Sequence, residues 1–298
     1  MKTELVERIV QALMYEGYML YPYRASAIKN QQRWNFGVLT PRCFSEEHHG
    51  AEAWMMQTEC LVRSSKDARL SITVRFLQLV FEEVVAREIP LTNQKLNQLN
   101  VVPREFPFQI GETQPHLEGS VKISAELIAP HLFKLRVCVE NLARLPDPGN
   151  RTRSEILPQS LLSTHVILNV QGGEFVSLLD PPDDLREPVA SCRNIGCWPV
   201  LVGASGERDC MLSSPIILYD YPQVATESSG DFYDSTEIDE LLTLRVLTLT
   251  DEEKRELRSG DLRAKQVLER TEALPSEYLA RMHGAIRGLA ALKDDTHD

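Results

Sequence analysis

The sequence contains no long hydrophobic run. None of its apolar stretches approaches the length of about 18 residues that a membrane-spanning helix needs. The N-terminal stretch MKTELVERIVQALMYEG carries Glu4, Glu7 and Glu16, and these acidic residues make it a poor signal peptide. The sequence therefore predicts a cytoplasmic protein without a membrane partner.

A surplus of basic residues is also missing. The chain has 32 Lys and Arg residues against 43 Asp and Glu residues, a formal net charge of −11. Proteins that bind nucleic acids through the phosphate backbone need an excess of cations to neutralise it. The charge balance therefore argues against a general nucleic-acid-binding protein.

Motifs for nucleotide binding and nucleophilic catalysis are absent as well. No strand–helix–strand alternation appears, and the glycine stretches QGGEF and GASGER lack the lysine and the following helix of a phosphate-binding loop. There is no G-x-S-x-G nucleophile motif. Ser163 and His165 share one face of a predicted strand, a pattern more typical of a structural hydrogen bond than of a hydrolase.

The six cysteines do not form the paired motifs of a zinc site. Cys192 and Cys197 have C-x4-C spacing, with Cys210 thirteen residues later and His165 upstream, but a second pair is missing. In a cytoplasmic protein, thiols of this kind are expected to be reduced and buried. The alternative is a metal- or thiol-dependent enzyme that uses these four residues. The pattern favours a protein without a metal, a cofactor or enzymatic activity.

What the sequence does contain is a series of short alternating strands. The clearest is Glu118–Asn141, where two runs with period-two alternation flank a Pro-His turn and predict a hairpin. A second hairpin is predicted in THVILNVQGGEFVSLLD, with its turn at Gly172-Gly173, and further strands in YMLYPY, WNFGVLTP, MMQTECLV, LSITVRFLQLVFEEVV, CWPVLVG and CMLSSPIILYDY. These strands predict an α+β, mainly β protein with an antiparallel β-sandwich-like core.

Helical patterns lie at the two ends of the chain. Leu5, Ile9, Ala12 and Leu13 fall on one side of a predicted N-terminal helix. From about Gly230 onward three helices are predicted, and their start signals are Asp234 with Glu237, Thr250 with Glu253, and Pro275. Residues 227–298 hold 17 acidic and 10 basic residues. We therefore expect a β body over residues 1–229 and an acidic helical tail over 230–298.

Residues 17–44, the aromatic-basic segment, have an unusual composition. They contain no acidic residue, four cations and six aromatic residues. One interpretation is a hairpin with its rings in the core, and others are a surface for a protein partner or a groove for an anionic ligand. Arginine and aromatic residues are typical of binding hot spots. The partner-binding residues predicted on this basis are Tyr21, Tyr23, Arg24, Lys29, Arg33 and Trp34.

Three stretches resemble a family of bacterial proteins encoded beside the structural genes of nickel-iron hydrogenases. They are LYPYRASAIKNQQRWNFGVLTPR, SLLSTHVILNVQGGEFVSLLDPP and GDFYDSTEIDELLTLRVLTLTDEEKRE, and the likeness runs from about Met14 to Glu272. The resemblance implies an accessory factor for assembly or maturation of the hydrogenase, with a hydrogenase subunit as its protein partner. It implies no functional residues, and the chain lacks the cysteine pairs of a metal chaperone or an iron–sulfur carrier. The expected function is therefore non-enzymatic protein binding.

Overall fold

The computed structural model describes residues 2–16, 23, 36–81, 83–100, 102–111, 116–223, 239–260 and 262–274. The chain divides into two compact units. One consists of Met1–Met14 and Trp34–Pro222, and we call it the β body. The other consists of Tyr15–Arg33 and Gln223–Asp298, and we call it the helical unit.

Eight antiparallel strands make up the sheet of the β body. Their order is β3-β4-β5-β1-β6-β8-β7, and β2 pairs with β1 outside this path. The strands are β1 (Met55–Val80), β2 (Glu83–Lys95), β3 (Arg104–Ile110), β4 (Leu117–Ala129), β5 (Leu132–Asn141), β6 (Leu162–Phe175), β7 (Trp198–Leu201) and β8 (Cys210–Ser214). The prediction of a mainly β, antiparallel α+β fold is confirmed.

Strand β1 is shared by two parts of the sheet. Its first half pairs with β5, and its second half lies between β2 and β6. The ladder between β1 and β6 is interrupted between Ser64 and Arg69, where the strand changes partners. A bridge between Gln57 and Ile195, just before β7, links the far end of the sheet back to β1. The sheet is therefore curled into a nearly closed barrel.

The core is formed by the alternating apolar residues that the sequence pattern indicates. Val121 and Ile123 of β4 and Leu135 and Val137 of β5 are at most 1% exposed and belong to one cluster. Each such side chain contributes roughly 1.5–3 kcal/mol relative to an exposed position. The hairpin predicted over Glu118–Asn141 is confirmed, and its turn contains Pro130 and His131.

The second predicted hairpin is wrong, because β6 continues through Gly172 and Gly173. Both halves of this strand pair with β1, Val170 with Leu70 on one side and Gly173 with Ser64 on the other. Gly172 has a φ of +76°, which serves a bulge at this irregularity rather than a chain reversal.

Short helices flank the sheet. The predicted N-terminal helix is present as α1 (Lys2–Met14), which packs on β6 and is tied to β1 by the ion pair between Glu7 and Arg75. The other helices of the β body are α2 (Arg42–Glu47), α3 (Leu96–Leu99), α4 (Arg153–Ile156) and α5 (Arg186–Ala190). The described part of WNFGVLTP, residues 36–41, forms only a single bridge between Leu39 and Leu161 instead of a strand.

The helical unit contains α6 (Asp239–Leu247), α7 (Asp251–Ser259) and α8 (Leu262–Glu272) in its described residues. The predicted capping box at the start of α7 is confirmed, since Thr250 Oγ1 accepts a hydrogen bond from the Glu253 N–H and the Glu253 carboxylate accepts one from the Thr250 N–H. The start signals at Asp234 and Pro275 lie outside the described residues. Among the described helices, none is long and apolar enough to cross a membrane.

Candidate functional site

Of the six predicted partner-binding residues, the structure describes only Tyr23. Its side chain is 1% exposed, so the Tyr23 ring does not offer a surface to a partner. Tyr21, Arg24, Lys29, Arg33 and Trp34 lie outside the described residues, and their role stays a prediction.

The structure describes the aromatic-basic segment from Phe36 onward, and hydrogen bonds hold this part of the segment on the β body. The Thr164 N–H donates a 2.9 Å hydrogen bond to the Gly37 carbonyl, and Leu39 exchanges two backbone hydrogen bonds with Leu161. Gly37 has a φ of +60°, and a Cβ at this position would lie 2.6 Å from Pro215 Cγ. The close packing on Pro215 thus requires glycine, and it leaves the neighbouring Phe36 44% exposed.

The segment that follows Pro215 is held by Asp220. One carboxylate oxygen of Asp220 accepts a 2.7 Å hydrogen bond from the Leu201 N–H, and the other accepts a 2.5 Å hydrogen bond from Ser177 Oγ. Ser177 Oγ in turn accepts hydrogen bonds from the N–H groups of Leu179 and Asp180. One carboxylate therefore joins three separate stretches of chain, at residues 177–180, 201 and 220.

Large apolar side chains project from these fixed stretches. Tyr219 is 80% exposed, Ile217 70% and Leu179 54%. We call Phe36, Leu179, Ile217 and Tyr219 the apolar patch. Scattered single apolar residues are normal on a protein surface, whereas large exposed apolar surfaces are typical of interaction sites. Leu179 and Tyr219 adjoin residues that Asp220 joins, and Phe36 adjoins the contact of Gly37 with Pro215.

The residues of the predicted metal or thiol site do not converge. His165 is fully buried, its Nδ1–H donates to the Ser163 carbonyl at 2.8 Å, and its Nε2 lies 3.3 Å from Ser214 Oγ. Cys197 packs in the core, with its Sγ donating to the Gln57 carbonyl at 3.0 Å. Within the described ranges, no group of three or more His, Cys, Asp or Glu residues is placed to hold a metal ion.

Burial also lowers the reactivity of Cys60, Cys192 and Cys197. All six cysteines are free thiols. Burial raises the pKa of Cys192 to about 11, raises that of Cys197, and raises that of Cys60 well above its usual value. Because the thiolate is the reactive form, these side chains stay protonated and weakly nucleophilic at neutral pH.

The histidine is equally unsuited to catalysis. Burial lowers the pKa of His165 to about 4. Ser163 contributes only its backbone carbonyl to this ring, and the hydroxyl beside the imidazole belongs to Ser214, which is also fully buried. The pair of His165 and Ser214 is thus sealed from a substrate and acts as part of the packing between β6 and β8.

A buried carboxylate that the sequence interpretation missed organises the loop around Cys192. Glu59 of β1 is 1% exposed and accepts hydrogen bonds from Arg136 Nε at 2.6 Å and from the Arg193 N–H at 2.7 Å, with Lys134 Nζ at 3.2 Å. Burial alone raises the pKa of Glu59, but these donors outweigh it and hold that pKa below its usual value. The Glu59 N–H also donates to Asn194 Oδ1.

The alternation of side chains within MMQTECLV places Glu59 on the face of β1 opposite Met56 and Cys60, which belong to the main core cluster. The partners of Glu59 could not be found in the same way. Arg136 lies opposite Glu59 only because of the β1–β5 register, and Arg193 comes from a loop 134 residues along the chain.

The clefts of the β body are open. One of about 340 Å³ is lined by Arg42, Cys43, Glu46 and residues 142–145, and one of about 560 Å³ lies at the irregularity between β1 and β6. Neither brings together the residues of the predicted sites. Comparison with models of known protein families gives no match, and comparison with curated protein sequences gives none either.

Proposed function

We propose that the protein is a non-enzymatic accessory factor that binds a protein partner. The observation that carries this proposal is the apolar patch on the framework held by Asp220. On the basis of the resemblance described above, the partner is a subunit of a nickel-iron hydrogenase or its precursor, and binding serves assembly or maturation of that enzyme.

Hydrogen bonds hold part of the patch in place before any partner binds. The Ser177–Asp220–Leu201 hydrogen bonds already hold the backbone that carries Leu179 and Tyr219, so ordering it costs little when a partner binds. Burying such side chains contributes roughly 25 cal/mol for each Å² of apolar surface. A tyrosine adds a large contact area with few rotatable bonds.

The apolar patch and the aromatic-basic segment share one residue. Phe36 belongs to that segment, and its neighbour Gly37 packs on Pro215, two residues before Ile217. Residues 17–44 contain no acidic residue and four cations. The partner that fits the patch presents an apolar depression, and carboxylates on the same partner would attract the cations of the segment and speed the encounter.

The chemistry of the interior supports contact rather than catalysis as the working principle. The Cys192 and Cys197 thiols are protonated at neutral pH, and His165 is sealed beside Ser214. A metal- or thiol-dependent enzyme built on these residues therefore has no supporting observation in the described part of the chain.

Capture of the partner from the native host tests the proposal. We expect the double variant Ile217→Glu, Tyr219→Glu to lose the hydrogenase subunit that the wild-type chain captures, because two charges enter an apolar interface. Its melting temperature should stay close to that of the wild type, since both side chains are more than two-thirds exposed. Val102→Glu is the matched control, because Val102 is 61% exposed but lies elsewhere, before β3.

The outcomes of this experiment separate the alternatives. If the double variant still captures the subunit while Arg24→Glu with Arg33→Glu does not, the aromatic-basic segment alone is the contact surface. If both variants capture it as well as Val102→Glu does, the proposal is wrong. Stoichiometric metal in the purified protein that is lost in Cys192→Ser with Cys197→Ser would favour the enzyme instead.

A further inference from the structure

Strand β2 forms an open edge of the sheet. Among the described strands it pairs only with β1. None of the described residues from Phe81 to Pro90 is buried, and Phe81 at the tip of the hairpin is 82% exposed. An unpaired edge of this length is a template for another strand, and most proteins protect such edges from self-association.

The position of a proline shows which backbone groups face outward. Pro90 lies opposite Thr73 in an uninterrupted part of the β1–β2 ladder, and proline has no N–H to donate to β1. Backbone amides along a strand point alternately to its two sides. The N–H and C=O groups of Val84, Ala86 and Glu88 therefore point away from β1 and are available to a new strand.

The edge is complementary to itself in one antiparallel register. A twofold axis through Val85 places Glu83 of each copy opposite Arg87 of the other, and Val84 opposite Ala86. Glu83 and Arg87 point to the same face of the sheet, so each Glu83 pairs with an Arg87 and the interface contains two such ion pairs. An axis through Arg87 would instead oppose two arginines, and an axis through Ala86 would leave Arg87 opposite Val85.

The surrounding residues fit the same register. Glu83 is exposed and has no ion-pair partner within the described ranges, so it is free to pair across the interface. Among the described residues, the Arg87 side chain donates one hydrogen bond, from Nε to Gln78 Oε1 at 2.9 Å, which leaves its other N–H groups for a carboxylate. Charged edges usually block strand addition, but here Glu83 and Arg87 attract each other across the axis, and Glu88 on the other face is already paired with Arg75 at 2.9 Å.

We propose that the β2 edges of two copies of this chain pair antiparallel about Val85 and form a homodimer. The dimer extends the sheet across the twofold axis and leaves the apolar patch outside the paired strands, so this inference does not depend on the proposed function.

A charge exchange tests the register. In Glu83→Arg both pairs become two arginines, and in Arg87→Glu both become two glutamates. We expect each variant alone to dimerise about tenfold more weakly than the wild type in sedimentation equilibrium. An equimolar mixture of the two variants restores both pairs, so it should form a heterodimer of wild-type affinity.

A backbone variant provides an independent measurement. Ala86→Pro removes an outward N–H without removing a bond to β1, so it should give a monomer with a nearly unchanged melting temperature. Hydrogen exchange of the wild type should show protection of the Val84 and Ala86 amides that rises with protein concentration. A monomeric wild type, or a mixture that associates no better than the single variants, would overturn the proposal.

Discussion

The imidazole of His165 has no exposed surface and uses both ring nitrogens in hydrogen bonds. Nδ1–H donates to the Ser163 carbonyl, so the unprotonated Nε2 accepts from the Ser214 hydroxyl, which in turn accepts from the Ile216 N–H. The neutral tautomer is thus built into the contact between β6 and β8. Protonation would break the Ser214 bond and leave a buried, unpaired charge.

This arrangement makes stability depend on pH. The pKa of His165 is about 4 in the folded protein and 6.5 in an unperturbed histidine. Between these values the unfolded chain binds a proton that the folded chain does not, so stability is full above pH 6.5 and falls as the pH falls towards 4. We expect this one residue to cost about 1.5 kcal/mol between pH 6.5 and pH 5.

His165→Gln is the variant that isolates this contribution, because glutamine keeps a donor and an acceptor but does not titrate. Urea unfolding at several pH values should show a shallower loss of stability for the variant over this window. If the free energy of unfolding falls equally with pH in the two proteins, His165 has the same pKa in the folded and the unfolded chain, and this explanation is wrong.

For single residues, the sequence indicates which side chains are apolar but not which of them other parts of the chain cover. Alternation correctly places Val121 and Leu135 in the core. It cannot tell that Tyr23 is buried while Tyr219 is 80% exposed, since each tyrosine is followed directly by a charged residue, Arg24 or Asp220. That difference comes from which long-range contacts cover each ring.

Among the structural elements, the loop around Cys192 depends most on one side chain. The buried Glu59 carboxylate has no contact with bulk water, and its hydrogen bonds come instead from Arg136, Lys134 and the Arg193 N–H. A buried ionic group of this kind is costly to disrupt, because the remaining partners lose their counter-charge. Arg136 itself is 55% exposed, which moderates the cost.

We expect Glu59→Gln to lower the free energy of unfolding by about 2 kcal/mol. The amides of Arg193 and Asn194 should also exchange faster with solvent, because their link to β1 is weakened. Chemical denaturation and hydrogen exchange measure the two effects. Glu105→Gln is the control, since Glu105 is 55% exposed and 4.0 Å from Lys122, and it should cost less than about 0.5 kcal/mol. Equal losses in both variants would contradict a special role for Glu59.

The elements themselves were predictable where their signals are local. The β4–β5 hairpin and the capping box of α7 follow from alternation and from Thr250 with Glu253. By contrast, the turn between β1 and β2 lies at Phe81 within FEEV, which contains none of the glycine, proline, asparagine or aspartate residues that mark turns. LSITVRFLQLVFEEVV therefore reads as one strand although it holds the end of one and the start of the next.

The buried face of a helix or strand was harder to predict than the helix or strand itself. In α1 the expected apolar side is Leu5, Ile9, Ala12 and Leu13, but the buried residues are Val6, Ile9, Val10 and Met14. A helix with apolar residues on several sides can pack in more than one rotation, and the sheet decides among them. The Gly172 bulge has the same origin, because only pairing with β1 distinguishes a bulge from a turn.

On the scale of the whole molecule, the division into two units determines what can be removed. The main core cluster draws its residues from Leu39 to Met211, all within the β body. The helical unit has buried residues of its own on α6, α7 and α8, including Leu242, Leu257 and Val267. Each unit thus contains buried apolar residues, as expected of a compact domain.

A chain that ends at Pro222 should therefore keep the β body folded. It retains α1, all eight strands and Tyr15–Arg33 of the helical unit, and it loses α6 to α8. Near-ultraviolet circular dichroism from Trp54 and Trp198, which both lie in the β body, should therefore match that of the full chain. Hydrogen exchange should remain slow in β4 and β5, whose pairing lies entirely within the retained residues. Loss of the tertiary signal on truncation would mean that the helices fold cooperatively with the sheet. The boundary near residue 229 would then mark a change of secondary structure and not the edge of a domain.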